Sequence, residues 1–148
     1  MTKSLNREQI IKILLVNDIK PSLQRISVMQ YLDSHRTHPS VDEIYNALSP
    51  DMPTLSKTTV YNVLKLLVSK SLIQQLTIDD KKVLFDINTE KHAHFICKRC
   101  GKVLDLAMPK NENETYGTQS FMLDGNYIEE TQIYYKGICN ECLKKINN

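Results

Sequence analysis

Apolar residues recur at helical spacing through the first half of the chain. Ile10, Ile11, Leu14 and Leu15 form one helical face, and Asn6 with Gln9 has the pattern of an N-cap and its reciprocal partner. Lys20-Pro21-Ser22 breaks this helix, and Ser22 is placed to cap a second one with Ile26, Met29, Tyr31 and Leu32 turned inward. That helix ends in the polar run Asp33 to Pro39. Ser40 and Glu43 make a capping box for a third helix bearing Val41, Ile44, Tyr45 and Leu48, and Ser49-Pro50-Asp51-Met52-Pro53 reads as a turn. Ser56 opens a fourth helix, running to about Ser71, with Val60, Leu64 and Leu67 on its inner face.

Beyond Ser71 the helical period gives way to short strand signals. Leu72 to Thr77 and Val83 to Ile87 predict a hairpin around the polar tip Asp79-Asp80-Lys81. Helices followed by such a hairpin form the pattern of a winged helix-turn-helix. A linker near Asn88-Thr89-Glu90 leads to a second register, with strands at Ala93 to Cys97, Val103 to Leu106 and Tyr127 to Tyr135, and a partly helical polar stretch around Met108 to Gln119. The expected organisation is α+β, with a winged-helix domain over residues 1–88 and a small α/β domain over 89–148.

The chain has 148 residues, 41% of them hydrophobic, enough for one ordinary domain or two small ones. No run of about 18 apolar residues predicts a membrane span, and the N-terminus does not read as a signal peptide, so the expectation is a cytoplasmic protein with no membrane partner. The net charge of +2 is too small to announce a nucleic-acid ligand, so that case rests on local placement. The fourth helix supplies it. Lys57, Tyr61 and Lys65 share a stripe with Thr58 and Asn62 beside them, and no acidic residue falls between Ser56 and Ser71. Lysines suit phosphates, while Thr, Tyr and Asn can reach base edges or thymine methyls. The plainer reading of such a stripe is the solvated face of a core helix; the helix order and the following wing favour the DNA reading.

All four cysteines lie in the second half as two C-x-x-C pairs, Cys97/Cys100 and Cys139/Cys142. Two intervening residues let both thiolates of a pair face one ion, and Gly101 permits a tight return of the chain. Two such pairs form a closed four-thiolate site suited to structural zinc, with redox-active thiols as the competing reading.

A second set of ligands contains no sulfur. His92 and His94 stand two apart on a predicted strand and share a face, Asp105 lies on the next strand, Asp86 closes the wing, and His38 precedes the third helix. Taken singly, a carboxylate between leucines or a histidine before proline is more often structural; together these residues are a candidate five-ligand site for Fe(II), Mn(II) or Zn(II). His35 has no partner at useful spacing and reads as a surface residue.

This ordered set resembles the ferric-uptake-regulator superfamily across nearly the whole chain. The matching positions are Gln24-Arg25, His38-Pro39, Ser56 to Leu67 with Thr59-Val60-Tyr61, Phe85-Asp86, His92-Ala93-His94, Cys97 to Cys100 with Gly101-Lys102-Val103, Asp105, Gly137, and Cys139 to Cys142. The resemblance implies an N-terminal DNA-binding domain, contacts from Gln24, Arg25 and Thr59 besides the stripe above, a C-terminal dimerisation domain, structural zinc on the cysteines and a regulatory metal between the domains. Three histidines and two aspartates are similar to the ligand pattern of the peroxide-sensing branch. Asp105 stands where ferric-uptake repressors typically carry glutamate, and Glu90-Lys91 replaces part of their histidine run. Glu129-Glu130-Thr131 lacks the histidines of a third metal site, and Ser22-Leu23 replaces the usual Thr-Pro before Gln-Arg.

The implied function is a homodimeric repressor on a palindromic operator, with metal as corepressor and Fe(II)-dependent oxidation of His38 or His92 as the peroxide signal. The alternatives are a sensor of iron, manganese or zinc level without oxidation and, from a different class, a thiol oxidoreductase or a metalloenzyme. No general base or substrate pocket is visible in the sequence to support an enzyme.

Overall fold

The computed structural model describes residues 3–90, 92–107 and 120–147. By contact density the chain splits into two compact units, Met1–Thr89 and Glu90–Asn148.

In the first unit, helix α1 (Arg7–Val16) begins with the capping box the sequence announces, the Gln9 amide donating to Asn6 Oδ1 and the Asn6 amide donating to Gln9 Oε1, each at 2.9 Å. It ends earlier than the Lys20-Pro21 break because Asn17 turns its amide back to Leu14 and Leu15, and Asp18 takes a left-handed φ of 59° that an acidic side chain tolerates. Helices α2 (Leu23–Ser34), α3 (Val41–Leu48) and α4 (Lys57–Ser69) each start on a serine side chain, from Ser22, Ser40 and Ser56. The buried side chains Ile10, Leu14, Ile26, Val28, Leu32, Ile44, Val60, Leu64 and Leu67 belong to one core shared by the four helices. A 3-10 turn (Ser49–Asp51) occupies the expected turn.

Strands β1 (Gln74–Leu76) and β2 (Leu84–Asp86) pair antiparallel as the wing, with Gln74 opposite Asp86. They are shorter than the apolar pattern suggests. At the near end the Leu72 amide is already spent on Leu67, closing α4. At the tip Asp79 Oδ1 accepts the Lys81 amide at 2.8 Å and turns the chain locally.

The second unit is built on a three-stranded sheet in the order β4-β3-β7, with β3 (Ala93–Cys97) central. β4 (Val103–Leu106) runs antiparallel to it and β7 (Tyr134–Gly137) parallel. The expected strand from Tyr127 to Tyr135 is instead two strands in separate sheets. β5 (Phe121–Leu123) and β6 (Asn126–Ile128) form a hairpin, while β7 joins β3. Asp124 and Gly125, with φ of 49° and 77°, supply the positive dihedrals that a two-residue hairpin turn requires. A last helix α5 (Asn140–Ile146) follows, with Lys144 and Lys145 in its final turn to oppose the helix dipole. The expected helical character of Met108 to Gln119 lies outside the described residues.

Candidate metal centres and DNA-facing helix

The sheet and the last helix together present four sulfurs. Cys97 ends β3, Cys100 follows in the turn that Gly101 reverses with φ of 77°, and Cys139 and Cys142 flank the first turn of α5. One atom from each of these cysteines lies within 4.8 Å of all the others, and all four thiols are free. The Cys100 and Cys139 sulfurs stand 3.8 Å apart. A disulfide would hold them at about 2.05 Å. Thiolates each about 2.3 Å from a tetrahedral zinc lie about 3.8 Å from one another.

The electrostatics agree with that fit. Backbone amides of Cys100 and Cys139 point at Cys97 Sγ from 3.5 and 3.3 Å and draw its thiol down to about 6. Burial, and then its sulfur neighbours, push the Cys142 thiol up to about 12. The fold thus prepares one thiolate and penalises another, a penalty that a divalent cation would remove. With every donor a cysteine, the set is closed and fits structural zinc.

The nitrogen and oxygen ligands form one cluster in each unit. In the first, His38 Nε2 and Asp86 Oδ2 are 3.5 Å apart and both side chains are buried. Asp86 is aimed by the Asn88 amide, which donates to its other oxygen at 2.9 Å. The His38 backbone has φ of 58°, although a residue before proline favours an extended conformation. Such a left-handed residue costs about 1–3 kcal/mol and persists only where its surroundings hold it. Here the Phe85 amide donates to the Pro39 carbonyl at 2.9 Å and ties the loop to β2.

In the second unit, Asp105 Oδ1 faces His92 Nε2 at 3.1 Å and His94 Nε2 at 3.4 Å. Register explains the convergence, because His94 is paired directly with Asp105 across β3 and β4. The imidazoles of His92 and His94 stand 4.3 Å apart, centroid to centroid. The Glu90 carbonyl lies against His92 Nδ1, which leaves Nε2, directed at Asp105, as the ligand atom, the arrangement a metal-bound histidine needs. Tyr134, absent from the sequence reading, meets the edge of His94 with ring centroids 6.4 Å apart. Its position opposite His94 in the parallel β3-β7 register is a tertiary fact that local spacing does not carry. His35 stacks on Tyr31 with centroids 4.2 Å apart and belongs to neither cluster.

Along α4, Lys57, Thr58, Tyr61, Asn62 and Lys65 are all exposed, whereas Thr59 is half-buried and shares a 2.9 Å hydroxyl contact with Ser56 at the cap. Gln24 and Arg25 at the start of α2 are half-buried, and Arg25 Nη1 donates to the Lys20 carbonyl at 2.7 Å, holding the α1–α2 turn. Two lysines, one on α4 and one on the wing, reach α3. Lys57 Nζ lies 3.2 Å from Asp42 Oδ1 and 5.7 Å from the Tyr45 ring centre, and wing residue Lys82 lies 2.8 Å from Glu43 Oε1. Exposed pairs of this kind contribute about 0–1 kcal/mol to stability.

A sequence model of the Ferric uptake regulator family matches residues 16–134. The chain is 39% identical over 127 residues to the Peroxide-responsive repressor PerR of Staphylococcus aureus, spanning 86% of this chain and 84% of that one. Among solved structures, the Helicobacter pylori ferric uptake regulator Fur, described as having three functional metal binding sites, aligns with a TM-score of 0.70 at 25% identity over 97% of both chains. PerR from Streptococcus pyogenes, described in terms of peroxide sensing and gene regulation, aligns with a TM-score of 0.52 at 26% identity over 95% of each.

Proposed function

The chain belongs to the Ferric uptake regulator family, and on that premise we propose that it is a metal-dependent, DNA-binding transcriptional repressor, not an enzyme, that responds to peroxide. It acts as a homodimer on a palindromic operator in the cytoplasm; no helix among the described residues is long and apolar enough to cross a membrane. Zinc on Cys97, Cys100, Cys139 and Cys142 is structural. Fe(II) or Mn(II) is the corepressor, taken by His38 and Asp86 of one unit together with His92, His94 and Asp105 of the other. Gln24, Arg25, Lys57, Thr58, Thr59, Tyr61, Asn62 and Lys65 meet DNA.

The observation that carries the peroxide reading is the convergence of His92 and His94 on a single Asp105 oxygen at 3.1 and 3.4 Å, a sulfur-free set on a short carboxylate. Imidazole and carboxylate suit Fe(II) and Mn(II) and are chemically separate from the soft cysteine site. Ligands drawn from both units make one ion favour one relative orientation of the domains, and the preference of the metal for that state supplies the coupling to DNA. Fe(II), when bound, supplies the reducing electrons that activate peroxide. A ring carbon of His38 or His92 would take up one peroxide oxygen while the other leaves as water, and an oxidised ring no longer serves as ligand, so operator affinity falls.

Peptide mass mapping after exposure to hydrogen peroxide tests this. Fe(II)-loaded protein is expected to gain one oxygen on the peptide of His38 or of His92 and to release operator DNA, and Mn(II)-loaded protein to do neither. Oxygen at the cysteines with release of zinc would move the sensing role to the thiols. Metal-dependent operator binding with no modification would identify a sensor of metal level.

A further inference from the structure

We propose that Asp42 and Glu43, in the first turn of α3, act as built-in stand-ins for DNA phosphates, holding Lys57 of α4 and Lys82 of the wing and keeping sequence-independent DNA affinity low. The inference rests on the DNA-binding reading and deepens it. Lys57 is the first residue of α4, where unpaired amides and the positive end of the helix dipole already favour a phosphate. Lys57 and Lys65 are the cations of the exposed α4 stripe, and the first of them lies 3.2 Å from Asp42 Oδ1.

The wing repeats the arrangement. Its tip carries Asp79 and Asp80 beside Lys81 and Lys82, and Lys82 Nζ is 2.8 Å from Glu43 Oε1. The hydrogen bond to Glu43 and the nearby charges of Glu43, Asp79 and Asp42 hold the Lys82 ammonium above its ordinary range, against the opposing effect of partial burial. A carboxylate at these distances offers the same charge-assisted bond as a phosphate oxygen. All four side chains are about half exposed or more, with side-chain accessibilities of 57% and 68% for Lys57 and Asp42 and 48% and 45% for Lys82 and Glu43, so the pairs are open to a competitor.

The negative charge of either side chain can be removed without losing the contacts that start α3, at the cost only of its favourable interaction with the helix N-terminus. Ile44 is fully buried, and the Ser40–Glu43 capping box survives if glutamine replaces glutamate. The charges therefore act mainly on whatever approaches the lysines. A DNA phosphate must displace them, which weakens the backbone contribution shared by every DNA sequence and leaves the base contacts of α4 a larger share of the binding energy.

The test uses Mn(II)-loaded full-length protein, a duplex of arbitrary sequence, and an operator selected by that protein from a random pool, with affinities measured across a salt series. Asp42→Asn and Glu43→Gln are each expected to raise affinity for the arbitrary duplex about threefold to tenfold at low salt and to steepen the salt slope by up to about one unit. The gain should vanish for Asp42→Asn in a Lys57→Ala background and for Glu43→Gln in a Lys82→Ala background. Equal gains in the lysine-free backgrounds would show a general charge effect and overturn the proposal. Unchanged affinity would overturn it too, and so would reduced affinity, which would make the acids braces for the DNA-facing elements. Failure of the parent protein to select any operator would sink the DNA-binding reading itself, a result separable from every variant outcome.

Discussion

The two units of this chain keep their elements together by different means. The first closes over a continuous apolar core running from Ile10 on α1 to Phe85 on β2, with Leu14, Ile44, Val60, Leu64 and Leu67 fully buried. In the second, the corresponding cluster is Cys97, Cys139 and Cys142, and the hydrophobic residues against it, Phe95, Leu104 and Ile138, are only partly buried. Apolar burial stabilises by roughly 25 cal/mol per Å², a source the first unit has in quantity and the described residues of the second supply far less of. A small sheet gains most from a staple, and a zinc ion on its four clustered cysteines would provide one.

The comparison breaks most visibly at the cysteines. Cys142→Ser is expected to abolish zinc binding and unfold the second unit while the helices of the first stay protected, because structural zinc carries about 10–16 kcal/mol of apparent binding free energy. Zinc content and hydrogen exchange resolved by unit check this; a protected β3-β4-β7 sheet without zinc would show the unit to be held by something else. Leu64→Ala should do the reverse. It is expected to destabilise the first unit by about 2–5 kcal/mol, in a denaturant melt, with zinc content unchanged. Lys65→Ala, on the exposed face of the same helix, sharpens the contrast between core and surface. Stability should stay within about 0.5 kcal/mol of the parent, while operator affinity falls and the salt slope drops by about one unit.

What could be read from the sequence follows the range of the interaction. The capping boxes at Asn6 and Ser40, the buried stripe of α4, strands β3 and β4 and the two cysteine pairs rest on residues a few positions apart, and the structure has them where the pattern placed them. Asp124-Gly125 was a local signal too, but a strand drawn from Tyr127 to Tyr135 passed over the hairpin turn that starts it. Helix α5 is short and its cysteines read first as ligands, which hid its helical character. Tertiary pairs leave no local trace. The contact of Glu43 with Lys82 spans 39 residues, and the one of His94 with Tyr134 depends on a parallel register that only the folded sheet defines.

The Cys139 amide reaches Cys97 Sγ across 42 residues of chain, so an ion at these sulfurs also ties a loop. In polymer terms, closing a span of that length removes conformational freedom from the unfolded ensemble worth about 4 kcal/mol, the amount a disulfide at the same positions would contribute. The cross-link differs from a disulfide in chemistry. It would persist in a reducing solution, where a sulfur–sulfur bond would be cut, and would come undone if zinc were withdrawn.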